Sequence, residues 1–128
     1  MKSKLSNNKN IEIEIQGDGA DTRAFIYIED AVNAIKICTL DNADSGIYHI
    51  GNNQEISIRE LVNLIAGVMD FQISIKASDK PLGGTPRRCP DNKKFRTLGY
   101  QQKVNLNKGL QKSIDWYWTK YSKRKEDN

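Results

Sequence analysis

The apolar residues of this chain change their spacing along its length, and that change constrains the fold more than any other feature. Ile11, Ile13 and Ile15 alternate with Glu12, Glu14 and Gln16, a period of two that marks a half-buried strand. Gly17-Asp18-Gly19 then stops the run with a turn. Phe25-Ile26-Tyr27-Ile28 is a second β-prone run. Asp30 offers a carboxylate as a helix N-cap, and Ala31, Ala34, Ile35 and Cys38 repeat at helical spacing, so a helix is expected from about residue 30 to 40. Asp41 to Gly46 reads as a polar loop. Ile47-Tyr48-His49-Ile50 reads as a short strand, closed by Gly51-Asn52-Asn53. Ser57 and Glu60 form a capping box, in which each side chain satisfies the other's backbone donor. Ile58, Leu61, Val62, Ile65 and Met69 follow as one stripe, which predicts a helix over 58–69.

Phe71 to Ile75 is expected as a further strand. All three prolines lie between Ser78 and Pro90, together with Gly83 and Gly84, so this segment should be a loop. Asp91 can cap a short helix that runs to Leu98 and stops at Gly99. Asn105 can cap the last helix, where Leu106, Leu110, Ile114, Tyr117 and Tyr121 share a face. Strands that alternate with helices indicate the α/β class. Ile47–Ile50 is apolar on both faces, as strands inside a larger parallel sheet are. Part of the sheet it belongs to is therefore expected to come from elsewhere.

A chain of 128 residues with 38% apolar and 28% charged residues suits one modest folded unit. Residues 1–10 read as a polar lead-in, 11–121 as the folded unit and 122–128 as a charged tail. No apolar run reaches the ~18 residues of a membrane helix, and Met1 to Asn10 carries no targeting pattern, so a cytoplasmic location is expected. The net charge of +4 is mild and sits mostly at the two ends, which favours solvated tails over a nucleic-acid interface. Cys38 and Cys89 make no CxxC pair. The single histidine, His49, lies in a strand-like run and cannot build a His-rich metal site.

Arginines supply the candidate chemistry. In Gly17-Asp18-Gly19-Ala20-Asp21-Thr22-Arg23 the glycines would let backbone amides approach an anion, and Arg23 offers a planar fork that matches phosphate oxygens. Gly83-Gly84-Thr85-Pro86-Arg87-Arg88-Cys89-Pro90-Asp91 places two adjacent arginines in a Gly/Pro-rich loop, where binding residues often lie. Taken singly, each segment also reads as a turn with a solvated charge.

In order along the chain, these segments resemble the extended short-chain dehydrogenase/reductases, the NAD-dependent sugar-nucleotide epimerases and dehydratases. Gly17-Asp18-Gly19-x-x-Thr22-Arg23-x-Phe25-Ile26-Tyr27-Ile28-x-Asp30 is similar to that family's GDG-x-x-TR segment. Tyr48-His49-Ile50-Gly51-Asn52, Ser57-Ile58-x-Glu60-Leu61, Arg88-x-x-Asp91 with Leu98-Gly99-Tyr100, and Leu106-x-x-Gly109-Leu110 with Trp116 follow in register. Tyr100 stands where the family usually has Trp, and Cys89-Pro90 is unusual within the loop.

The resemblance covers residues ~11 to ~120 and implies the small C-terminal substrate-binding domain, with few short strands and three to four helices. In the family this part closes over a UDP-, GDP- or dTDP-sugar, dTDP-glucose 4,6-dehydratases included. The resemblance implies that Arg23 and Arg88 meet the ligand's diphosphate, with Arg87 as the alternative should the loop shift by one residue. Asp30, Ser57 and Asp91 also match family positions and read as helix caps.

The family's hydride transfer needs NAD or NADP on a G-x-x-G-x-x-G turn and a Tyr-x-x-x-Lys pair that supplies the base. The turn is absent from this sequence. Tyr121-Ser-Lys-Arg-Lys125 has the spacing but lies in the charged end, so no catalytic residue and no cofactor are assigned to this chain alone. It reads as the Rossmann-lacking last third of such an enzyme: a truncated frame, a cut piece, or a subunit that completes an active site with a cofactor-binding chain. Met1 before a polar stretch leans toward a natural start. A non-enzymatic interaction domain that self-associates through exposed strand edges is the other alternative.

Overall fold

The computed structural model describes residues 10–40 and 44–123. The expected lead-in, apart from Asn10, and the tail beyond Lys123 lie outside the described residues. The elements run β1 (Ile11–Gln16), β2 (Thr22–Ala24), α1 (Ile28–Leu40), β3 (Glu55–Ser57), α2 (Ile58–Met69), β4 (Ile73–Ser78), β5 (Arg87–Arg88), α3 (Lys93–Arg96) and α4 (Leu106–Lys123). This is the expected α/β class. No described helix is long and apolar enough to cross a membrane.

The strands form two small sheets. β1 pairs with β4 in parallel, from Ile11 opposite Ile73 to Gln16 opposite Ser78. The alternation read in β1 holds: Ile15 is buried, while Glu14 faces Lys76 across the strands at 3.9 Å. The second sheet has the order β3-β2-β5, with β2 antiparallel to β3 and parallel to β5. The Gly-Asp-Gly turn therefore joins two sheets and closes no hairpin between β1 and β2.

α2 follows its sequence signal residue for residue. Ser57 accepts from the Glu60 N–H, Glu60 accepts from the Ser57 N–H, and Asp70 ends the helix in the left-handed region at φ 59°. Phe71 stays tied to this helix end through its N–H to the Ala66 carbonyl at 3.0 Å. β4 consequently starts at Ile73, two residues later than the apolar run suggested. At α4, the Asn105 side chain caps as expected, with its Oδ1 accepting from Lys108 N–H at 2.9 Å.

Several expectations are corrected. The β-prone run Phe25–Ile28 is not a strand: β2 covers Thr22–Ala24 and α1 already starts at Ile28. Ile26 is apolar because it packs on the core around Phe95. Asp30 is not an N-cap. It lies inside α1, is 2% exposed, and its carboxylate accepts from the N–H groups of Lys103 (3.1 Å) and Val104 (2.9 Å). It thus ties α1 to the lead-in of α4. Ile47–Ile50 joins no strand ladder among the described residues.

α3 is shorter than expected. Asn92 occupies its cap position but donates its side-chain amide to the Gly51 carbonyl at 2.9 Å. Asp91 accepts from Lys93 N–H at 3.0 Å, and Gly99 ends the turn at φ 87°. The main core gathers Ala34, Phe95 and Tyr100, with Ile26, Ile37, Cys38, Tyr48 and Leu98 packed around them.

Candidate functional site

The Gly-Asp-Gly turn is built to seat a helix. Gly17 and Gly19 have φ of 66° and 80°, values that side chains resist. The left-handed turns aim the carbonyls of Gly19 and Asp21 at the start of α2, where they accept from Arg59 N–H and Ile58 N–H, both at 3.0 Å. The Arg59 guanidinium reaches back to the Asp18 carbonyl, its Nε at 3.1 Å. Ser57 covers the Glu60 amide, so the first-turn donors Ile58, Arg59 and Glu60, which a helix leaves unpaired, are filled from this turn and the cap. The Gly17 amide donates to the Ser78 carbonyl at 2.9 Å. The turn thus turns carbonyls to a helix where the sequence suggested amides turned to an anion. Its Asp18 carboxyl accepts from Ala20 N–H, which holds it below the usual carboxylate range. What the turn contributes to a site is position: it fixes where β2 begins, and with it Arg23.

Register decides which arginines act together. In the parallel pair β2/β5, Arg23 stands opposite Arg88 and Thr22 opposite Arg87. Side chains alternate along a strand and partners share a face. Arg23 and Arg88 therefore sit side by side on one face of the sheet, and Arg87 lies on the other.

The three arginines differ in what holds them. Arg87 is held by Glu55, its Nε 3.0 Å from both carboxylate oxygens. Thr22 Oγ1 donates to the same carboxylate at 2.8 Å. These bonds keep the Glu55 carboxyl below its ordinary range and push Arg87 above its own. Arg23 is half-buried; its Nη1 donates to the carbonyls of Thr22 (2.7 Å) and Pro86 (3.3 Å), and its Nη2 lies 3.6 Å from Asp21. Lys80 pairs with the same Asp21. The Arg88 side chain is exposed and has no hydrogen-bond or ion-pair partner among the described residues. Two like charges on adjacent strands repel, and an anion across the pair would relieve that repulsion.

The loop that carries Arg88 is fixed by its unusual Cys89-Pro90 pair. Pro90 lies against Gly51 so closely that a Cβ on Gly51 would come within 2.5 Å of the proline ring. The Cys89 thiol is half-buried beside the Asn53 carbonyl at 3.7 Å, and burial pushes its pKa up. This is an unreactive setting for a thiol. A groove of about 540 Å³ opens nearby between β3, α2 and α4, lined by Phe25, Asn52, Glu55, Ile56, Asn63 and Leu106 among others. Neither Arg23 nor Arg88 lines this groove.

Sequence reading missed Glu55, Thr22 and Asp21 as the groups that engage these arginines, and Lys80 as the second cation on Asp21. Glu55 is 32 positions from Arg87 and Lys80 is 59 from Asp21, and no local pattern joins residues so far apart. Tyr121, of the rejected Tyr-x-x-x-Lys spacing, stacks on Tyr117 with ring centroids 6.0 Å apart, and Lys125 lies outside the described residues.

No protein-family model matches the chain. GDP-L-fucose synthase 1 of Arabidopsis thaliana is 36% identical over 108 residues, which cover 83% of this chain and 33% of that protein. Among solved structures, the UDP-glucose 4-epimerase of Thermotoga maritima with UDP-glucose superposes with a TM-score of 0.81 at 22% identity, over 86% of this chain and 36% of that one. MoeE5 in complex with UDP-glucuronic acid and NAD superposes with a TM-score of 0.74 at 25% identity, over 87% and 37%. The chain spans about a third of the length of the curated GDP-L-fucose synthases that it matches.

Proposed function

The chain belongs to the extended short-chain dehydrogenase/reductases and corresponds to their C-terminal part, and on that premise we propose that it grips the diphosphate of a nucleotide sugar between Arg23 and Arg88. One observation carries this reading: the β2/β5 register sets these two arginines side by side on one face. A diphosphate presents two adjacent anionic groups, and each guanidinium fork can take one bidentately. Arg88 is the freer jaw. Arg23, steadied by two carbonyls and Asp21, is the pre-aimed one. Arg87 is assigned no ligand role because its fork is engaged by Glu55 on the opposite face. UDP-, GDP- and dTDP-sugars share the recognised group, and a cytoplasmic setting goes with this reading.

Receiving the diphosphate of a nicotinamide dinucleotide takes free amides at a helix N-terminus, and the Gly-Asp-Gly turn and Ser57 already occupy those of α2. No hydride-transfer step is assigned to this chain, and by itself it is expected to be inactive.

Calorimetric titration with UDP-glucose, GDP-fucose and dTDP-glucose at low and high salt tests the clamp. Arg23→Ala and Arg88→Ala should each weaken binding about 10- to 100-fold, the worth of one charge-assisted pair. Arg87→Gln should change it little, and added salt should weaken the wild type more than either alanine variant. Absence of binding at millimolar ligand, or affinity indifferent to both alanine changes, would refute the proposal.

A further inference from the structure

The face that carries Arg23 and Arg88 needs something to hold it together while no anion is bound. β5 is two residues long and lies in the breaker-rich segment between Ser78 and Pro90. Arg23 and Arg88 stand opposite each other in its pairing with β2, and their like charges push the two strands apart. The Thr22 N–H donates to the Pro86 carbonyl at 2.9 Å, which ties one end of this short pair.

The opposite face carries a tie across all three strands of the sheet. Glu55 on β3 stands opposite Ala24, so its side chain shares a face with Thr22 and Arg87. Its carboxylate accepts from Thr22 Oγ1 on β2 at 2.8 Å and from Arg87 Nε on β5 at 3.0 Å. Arg87 first, and then Thr22, hold the Glu55 carboxyl below its ordinary range, so it stays ionised near neutral pH. The ion pair also cancels the charge of Arg87 on the face away from Arg23 and Arg88.

We infer that Glu55 is a positioning residue for anion binding: by joining Thr22 to Arg87 it fixes β5 in register on β2 and so sets Arg88 beside Arg23. Its ligand is that of the diphosphate grip proposed above, on which this role rests. Arg87 serves the tie through Nε. A glutamine carries its amide nitrogen at the same place along the side chain, so Arg87→Gln keeps a donor to Glu55 and Arg87→Ala does not. Charge alone makes the opposite prediction for Glu55. Removing a carboxylate near an anion site raises the local positive potential and would tighten binding. Loss of register lowers the fraction of chains competent to bind, and apparent affinity falls by that fraction. The sign of the change separates the two accounts.

The test titrates UDP-glucose into the wild type, Glu55→Ala, Arg87→Ala and Arg87→Gln at low and high salt. Hydrogen–deuterium exchange of the Thr22 amide is measured on the same proteins without ligand. Far-ultraviolet dichroism checks that each is folded. Arg87 is exposed, so Arg87→Ala carries the test should Glu55→Ala not fold. Each alanine variant should bind about tenfold more weakly, the effect of a competent fraction of about one tenth. The Thr22 amide should exchange at least about tenfold faster in both. Arg87→Gln should match the wild type in both measurements. Salt should weaken Glu55→Ala at least as steeply as the wild type, because both gripping arginines remain, whereas Arg23→Ala flattens that dependence. Three results overturn the inference: either alanine variant binds as tightly as the wild type or more tightly; Thr22 exchange is unchanged in both; or Arg87→Gln and Arg87→Ala behave alike. If the wild type binds no UDP-glucose, the diphosphate grip fails, and Thr22 exchange alone then decides whether Glu55 sets the register.

Discussion

Replacing Gly19 by alanine should cost far more stability than the same change at Gly17, although both glycines lie in one turn with positive φ. The backbone strain is shared: φ is 66° at Gly17 and 80° at Gly19, and holding an alanine there costs about 1–2 kcal/mol. Their surroundings differ. A Cβ on Gly17 would meet only the flexible Lys80 side chain, at 3.6 Å or more. A Cβ on Gly19 would lie 2.6 Å from Ile15 Cδ1 and 3.2 Å from the Arg59 backbone nitrogen.

Moving Ile15 off its rotamer costs about 1 kcal/mol. Moving the start of α2 strains the Arg59–Gly19 and Ile58–Asp21 bonds, at about 1 kcal/mol in all. Alanine also stiffens the unfolded chain, which offsets about 0.5–1 kcal/mol in both variants. The net expectation is about 0.5–1 kcal/mol for Gly17→Ala and about 2–3 kcal/mol for Gly19→Ala. Urea unfolding followed by far-ultraviolet dichroism, extrapolated linearly to water, measures both. Equal costs, or a neutral Gly19→Ala, would show that the turn does not seat α2 in the way described.

Two further changes probe the core. Asp30→Ala leaves the amides of Lys103 and the buried Val104 without this acceptor and should destabilise by about 1–3 kcal/mol in the same unfolding experiment. The Tyr100 hydroxyl is buried without a hydrogen-bond partner, so Tyr100→Phe should stabilise by about 1 kcal/mol. Burial, with Asp30 nearby, raises the pKa of that phenol. The folded state therefore keeps the proton longer than the unfolded chain, and stability should fall as pH rises from about 10 through the higher folded value. Thermal melts between pH 8 and 11 should show this loss in the wild type and a shallower one in Tyr100→Phe.

Sequence by itself determined what local chemistry can determine. The Ser57/Glu60 box and the stripe behind it set α2 to the residue, the alternation of Ile11, Ile13 and Ile15 set the buried face of β1, and Asn105 set the start of α4. Five short segments in register also identified the family. Tertiary structure decided the rest, because the deciding partners lie far apart in the chain. β1 and β4 pair across some 60 positions, and nothing local encodes that pairing.

Asp30 had the spacing of a cap, and only the arrival of Lys103 and Val104 made it a buried tie. Adjacent arginines look equivalent in a string of letters. A strand turns neighbours to opposite faces, so the β2/β5 register set Arg88 beside Arg23 and turned Arg87 to Glu55. The run Ile47–Ile50 has the apolar pattern of a sheet strand, but the structure forms no strand there. A strand is completed by its neighbour, and the described residues of this chain do not supply one.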